Sequence, residues 1–213
     1  GKGEPIARVA LIDHALLDES AGAILAVAEV SFGSASAPQL YALPLVVQPD
    51  RERANAGPAA EAALIGAVDG AAVYDGLTSP ELCRALLGAI RTGRQLPSAR
   101  GGRFVFAPLP GGPAEDIDVV GARVRVVGAE QSNTSVIYDD ALILKAFRRL
   151  QPGQNPDVEI LRFLAEHTSF ASVPRLGGWC EYRPPTGEAT SLVILQAFLR
   201  SHGDGWRWAL RVW

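Results

Sequence analysis

Thr134-Ser135-Val136-Ile137-Tyr138-Asp139-Asp140-Ala141-Leu142-Ile143-Leu144-Lys145-Ala146-Phe147 contains two short β-rich runs, 134–138 and 142–147, folded about an Asp-Asp turn. Beyond it, Pro152-Gly153-Gln154-Asn155-Pro156-Asp157 is a loop that ends in a helix start. Asn155 is the N-cap, Pro156 takes the first helical position and Asp157 puts negative charge in the first turn. Ile160, Leu161 and Leu164 follow at helical spacing. Upstream, residues 123–127 predict a further strand. Downstream, 179–182 and 191–198 predict two more, joined through Arg183-Pro184-Pro185-Thr186-Gly187. The order is strand, polar loop, strand, turn, strand, helix, strand, strand. It predicts an antiparallel sheet with one helix, the second unit of an α+β protein.

The N-terminal part has a different order. Runs 6–12, 23–32 and 39–47 are β-rich and separated by turn formers, which predicts an antiparallel meander. Pro44 points to an edge strand or a bulge, because proline lacks the N–H that a central ladder uses. Residues 49–58 predict a loop, and the Ala-rich run 59–68 predicts a helix. Ser79-Pro80-Glu81 is a strong helix start, followed by Leu82, Leu86, Leu87 and Ile90 on one stripe and Gly93 as the stop. Between the units, 103–107 predicts a short strand among glycines and prolines. The domain reading is 1–90, 91–122 as a linker with intermediate strands, 123–199, and a final segment 200–213.

Composition narrows the classes. In 213 residues, 48% are hydrophobic, 20% charged and 7% aromatic, a globular profile. A net charge of −3 gives no electrostatic case for nucleic acid. No apolar run approaches the ~20 residues of a membrane span. Cys83 and Cys180 stand far apart in no metal-type spacing, so two buried reduced thiols are favoured over a disulfide. His14, His167 and His202 are scattered, which argues against zinc, and no G-x-S-x-G supports a triad. Asp13-His14 is read as packing rather than chemistry, since adjacent strand residues face opposite ways.

The cations carry more information. Of 20 Lys+Arg, only Lys2 and Lys145 are lysines. Lys145 falls in the third strand of the second unit, and Glu159 one turn into the helix that follows. A strand Lys ahead of a helix Glu is the arrangement of a protein-kinase N-lobe, in which the Lys holds nucleotide phosphates and the Glu fixes the Lys. A compact ammonium reaches between phosphates and a carboxylate at once, whereas a guanidinium is too wide. The bland alternative is a solvated Lys and a solvated Glu. Neither G-x-x-x-x-G-K-[ST] nor G-x-G-x-x-G is present.

Glu130 to Ile137, Leu142 to Leu150 and Pro152 to Ile160 together closely resemble the bacterial maltokinases, including those fused to trehalose synthase. The motif block covers about thirty residues, and the general layout matches across the chain. The resemblance implies an aminoglycoside-phosphotransferase-like kinase fold in which an antiparallel-sheet and helix cap precedes a kinase-like N-lobe. It implies that Gln131, Ser132, Asn133, Thr134 and Ser135 form the phosphate-covering loop, with Ser and Thr where glycines are usual. It implies that Lys145 is the α/β-phosphate lysine, that Glu159 is its ion-pair partner, and that backbone groups of Gln196 and Phe198 lie at the adenine-binding hinge. The cofactors implied are ATP and Mg²⁺. The reaction implied is ATP + maltose to maltose 1-phosphate, in the cytoplasm, feeding α-glucan synthesis from trehalose.

The same resemblance marks a departure. The catalytic Asp and the Mg²⁺ ligands of such kinases lie in a C-lobe, and no His-Gly-Asp or Asp-Phe-Glu type segment follows the last strand before Trp213. The expectation is therefore an excised piece, opening without Met or leader at Gly1-Lys2-Gly3, with no catalytic residue or metal ligand of its own and inactive alone. Maltose would be read by the missing C-lobe. The alternatives are a non-catalytic module that docks on trehalose synthase or a separate C-lobe, and the N-terminal part of a related sugar or aminoglycoside kinase. No nucleic-acid or membrane partner is expected.

Overall fold

The computed structural model describes residues 4–33, 37–49, 58–130, 133–200 and 209–210. The chain is α+β, with two antiparallel sheets and a helix held between them. Strands β1 (Ile6–Asp18), β2 (Ala23–Phe32) and β3 (Gln39–Pro49) form the expected meander. Helix α1 (Pro58–Ala63) follows, then β4 (Leu64–Val68) and β5 (Ala71–Asp75). The first sheet runs β1-β2-β3-β5-β4.

Two local expectations change here. The helix predicted over 59–68 stops at Ala63, and Leu64–Val68 becomes a strand. Asp69 and Gly70, at φ 51° and 77°, make a two-residue turn that folds β4 back on β5. Asp-Gly is the strongest short hairpin signal, and it overrides the helix preference of a few alanines. Pro44 lies neither on an outer strand nor at a bulge, because β3 sits inside the sheet and pairs Pro44 with Leu25 in unbroken register. On the other side of β3, residues 40–41 pair with one strand and 45–49 with another. The Ala42 N–H points to that side, donating to the Arg148 carbonyl at 2.9 Å, and alternation turns the nitrogen of Pro44 the same way. Proline thus occupies the gap between two partners, where no ladder bond is missing.

A 3-10 turn, Gly76–Thr78, leads into α2 (Pro80–Thr92). Its ends are as the sequence predicts: the Ser79 hydroxyl accepts from the Leu82 N–H, and Gly93 at φ 63° closes the C-terminus. Then come β6 (Gln95–Pro97), β7 (Arg103–Pro108), β8 (Val124–Glu130), β9 (Asn133–Tyr138), β10 (Leu142–Phe147) and β11 (Arg149–Leu150). Helix α3 (Pro156–His167), β12 (Leu176–Arg183) and β13 (Thr190–Ala197) complete the order. The second sheet runs β6-β7-β12-β13-β10-β9-β8, so β6 and β7 extend it beyond β12. Asp139 and Asp140, at φ 51° and 54°, make the turn between β9 and β10, closed by the Ala141 N–H on the Tyr138 carbonyl at 2.9 Å.

Helix α2 buries Leu82, Cys83, Leu86, Leu87, Ala89 and Ile90, and its core cluster draws on both sheets, from Leu25, Val46 and Tyr74 to Phe104, Phe106, Tyr138 and Leu144. Each fully buried Leu, Ile or Phe among them contributes about 1.5–3 kcal/mol. The Tyr138 hydroxyl donates to the Cys83 carbonyl at 2.8 Å from inside this core. Both cysteines are free and buried. Burial, with the Asp75 and Glu81 carboxylates adding to it, pushes the Cys83 thiol up to about 12.

Polar ties join the sheets as well. Asp13 on β1 is fully buried and accepts from the Ser98 hydroxyl at 2.6 Å, the Tyr182 hydroxyl at 2.8 Å and the His14 and Arg100 N–H groups at 2.9 Å. Burial pushes its carboxyl up, but these four donors outweigh that and hold it below its ordinary value. Asp13 therefore serves the junction between sheets. The His14 ring takes no part in the cluster, and its Nδ1 is buried without a partner.

Candidate functional site

Register across the second sheet sorts its side chains into two faces. Tyr138, Val136, Leu142 and Leu144 face the α2 core. The opposite face carries one cross-sheet row, with Val127 paired to Ser135, Ser135 to Lys145, Lys145 to Ile194 and Ile194 to Trp179. Directly paired residues share a face. The Arg162 guanidinium of α3 lies over the Trp179 ring, 5.1 Å from its centroid, so α3 covers the end of this row. Strand and helix thus bring Lys145, Ser135 and α3 to one side of one sheet.

Local sequence fixes α3 there. Asn155 caps it by accepting from the Asp157 N–H at 2.9 Å, and the Asn155 N–H donates to the Ser191 hydroxyl on β13 at 2.9 Å. Val158 is fully buried beneath the first turn. Glu159, the next residue, is exposed. Lys145 is half-buried, and among the described residues its side chain has no hydrogen bond or ion pair, to Glu159 or to any other group. Its ammonium is free for a ligand anion.

The remaining candidates divide. Gln131 and Ser132 lie outside the described residues. Asn133 and Ser135 are half-buried at the start of β9, and Ser135 lies beside Lys145. Thr134 is buried on the core side, and its hydroxyl already accepts from Arg148 Nε at 3.0 Å. Gln196 is flanked in the sheet by Ile143 and Leu176. The Phe198 N–H donates to the Ala141 carbonyl at 2.8 Å, so any hinge contact at Phe198 falls to its carbonyl.

The groups here that could hold a phosphate are the unpaired Lys145 ammonium and the Ser135 hydroxyl, side by side and half-buried. A divalent ion finds no set of ligands, since among the described residues no three His, Cys, Asp or Glu side chains converge. A cleft of about 350 Å³ opens at the other end of α3, between Leu161, Leu164, Phe170 and Pro110, and Lys145 does not line it. No helix among the described residues is long and apolar enough to cross a membrane.

Sequence reasoning assigned no role to Arg148 or Asp75. Arg148 extends both a 2.6 Å and a 2.9 Å bond to Asp75, from the bend between β10 and β11 to the end of β5 in the first sheet. Its only signal was its place three residues after Lys145 in the Phe147-Arg148-Arg149-Leu150 run.

No family model matches the sequence. The chain is similar to the solved structure of a glucosamine kinase in complex with glucosamine, ADP and inorganic phosphate, with a TM-score of 0.58 and 22% identity over 98% of this chain. Two crystal forms of glucosamine kinase give TM-scores of 0.55 and 0.57 at 21% and 20% identity. This chain spans 40%, 37% and 39% of those chains. At these identities the likeness shows the fold alone, one that this chain shares with part of the glucosamine kinase structures.

Proposed function

We propose that this chain is the nucleotide-side part of an ATP-dependent sugar kinase, and specifically of a maltokinase that forms maltose 1-phosphate. The observation that carries the reading is the free ammonium of Lys145, beside Ser135 and on the α3 side of the sheet, in a sugar-kinase-like fold. ATP, when bound with Mg²⁺, supplies the phosphoryl group. Lys145 would neutralise its α- and β-phosphates, and Ser135 with Asn133 would donate to them. Glu159 would turn toward Lys145 and hold it, and the backbone past Gln196 and at Phe198 would meet the adenine. The acceptor, the base and the Mg²⁺ ligands would come from a second lobe. A cytoplasmic location, where ATP is present, fits this role.

The maltose assignment rests on the residue runs around Lys145. A second reading, a glucosamine kinase, is favoured by the solved structures of that enzyme. A third, a non-catalytic module docking on trehalose synthase or a separate lobe, is compatible with a chain spanning two fifths of its matches. Labelled ATP with maltose or glucosamine, given to the full polypeptide carrying this segment, separates them. Phosphate on maltose supports the first, phosphate on glucosamine the second, and on neither the third. Lys145→Arg is expected to lower turnover by about 100-fold or more with the fold intact. Turnover near wild type in that variant would remove Lys145 from the phosphates.

A further inference from the structure

We infer that Arg148 is a positioning residue for the nucleotide site, through which Asp75 of the first sheet sets the place of the strand that carries Ser135. The inference rests on the kinase reading of Lys145. Arg148 follows directly on β10. Its Nη2 donates to both Asp75 oxygens, at 2.6 and 2.9 Å, and its Nε donates to the Thr134 hydroxyl at 3.0 Å. Its carbonyl accepts from the Ala42 N–H at 2.9 Å. Asp75 is itself fixed, because it also accepts from the Leu77 N–H at 3.2 Å ahead of α2. One guanidinium thus joins β5 to the start of β9, while the carbonyl of the same residue ties it to β3.

Thr134 is buried, so its hydroxyl has Arg148 in place of water. Its neighbour Ser135 is paired with Lys145. A shift of Thr134 therefore moves the serine and the lysine that the kinase reading sets on phosphate. Only a planar fork can reach Asp75 and Thr134 at once, while a lysine at 148 keeps the charge pair and forfeits one of the two. The first sheet then acts on nucleotide affinity without touching nucleotide.

Arg148→Lys and the isosteric Thr134→Val are the variants, made in the full polypeptide, with Lys145→Ala as the reference. Each is expected to raise KM for ATP about tenfold and leave KM for the sugar unchanged, with the melting temperature within a few degrees of wild type. Hydrogen exchange on the nucleotide-free protein gives a second readout. The amides of Thr134 and Ser135 should exchange about tenfold faster in Arg148→Lys, and those of β12 should not. If Lys145→Ala raises KM for ATP while Arg148→Lys and Thr134→Val do not, the inference fails and the kinase reading stands. If Lys145→Ala leaves KM for ATP unchanged, the kinase reading fails and takes the inference with it.

Discussion

The hydroxyl of Tyr182 on β12 donates to the buried carboxylate of Asp13 on β1 at 2.8 Å, across 169 residues of sequence. That bond belongs to a cluster of four donors on one carboxylate and joins the two sheets at a point where neither could be moved alone.

Asp13→Ala is expected to cost about 3 kcal/mol, because it strands the Ser98 and Tyr182 hydroxyls and the part-buried His14 and Arg100 N–H groups. Tyr182→Phe removes one donor and should cost about 1 kcal/mol. Urea unfolding at neutral pH checks both; equal costs would mean that the cluster does not act through Asp13.

The same carboxyl gives a pH dependence. Its pKa is held below the ordinary 3.8, so its contribution is fully present above that value and is lost as pH falls through the lower folded value. Asp13→Asn should therefore flatten the loss of stability on acidification below about pH 4, a slope read from urea midpoints across that range. An unchanged slope would assign the acid sensitivity to other carboxylates.

Gly22 sits at φ 60° in the β1–β2 turn, and a Cβ there would lie 2.2 Å from the Val47 carbonyl oxygen. Gly22→Ala should cost about 2–4 kcal/mol, through backbone strain and the displaced Val47 N–H bond to the Gly22 carbonyl. Thermal unfolding gives the number, and a cost under about 1 kcal/mol would show that β3 can back away.

Cys83 has a thiol pushed up to about 12 by burial, and Cys180 is pushed well above its ordinary value by burial. At mildly alkaline pH a thiol-specific reagent should modify neither in the native protein and both after denaturation. Fast labelling of either in the folded state would contradict their burial.

Lys145 separates stability from chemistry. Lys145→Ala should change folding free energy by less than about 0.5 kcal/mol, since no partner is lost. A large destabilisation would mean that the side chain serves the fold.

Much of the architecture was legible because local chemistry and tertiary demand agreed. Ser79-Pro80 and Asn155-Pro156 start helices where they must, and the Asp139-Asp140 turn sets the register that lays Lys145 against Ser135. What escaped was settled by partners far away in the chain. Leu96 and Leu150 lie in strands of three and two residues, too short for any periodicity, and they exist because β7 and β3 offer edges. At the site, the place of Lys145 followed from its strand. The turning of Thr134 toward Arg148, and of that arginine toward Asp75, depends on how the two sheets meet, which no short motif encodes.

The pairing of β7 with β12 also imposes an order of assembly. As the chain leaves the ribosome, Phe104 and Phe106 emerge with α2 and the short β6 at hand but without their second neighbouring strand, β12, which is made only after β8, β9, β10, β11 and α3. The β9–β10 hairpin closes a short loop and can form early, whereas the pairing of β7 with β12 must wait on a long closure. Pulse-labelled refolding should therefore find the amides of Val136 and Leu144 protected before that of Val105, which faces β12, whereas the Phe106 amide already has the Arg94 carbonyl on the β6 side. Until then α2 shields an aromatic strand that would otherwise offer an edge to other nascent chains.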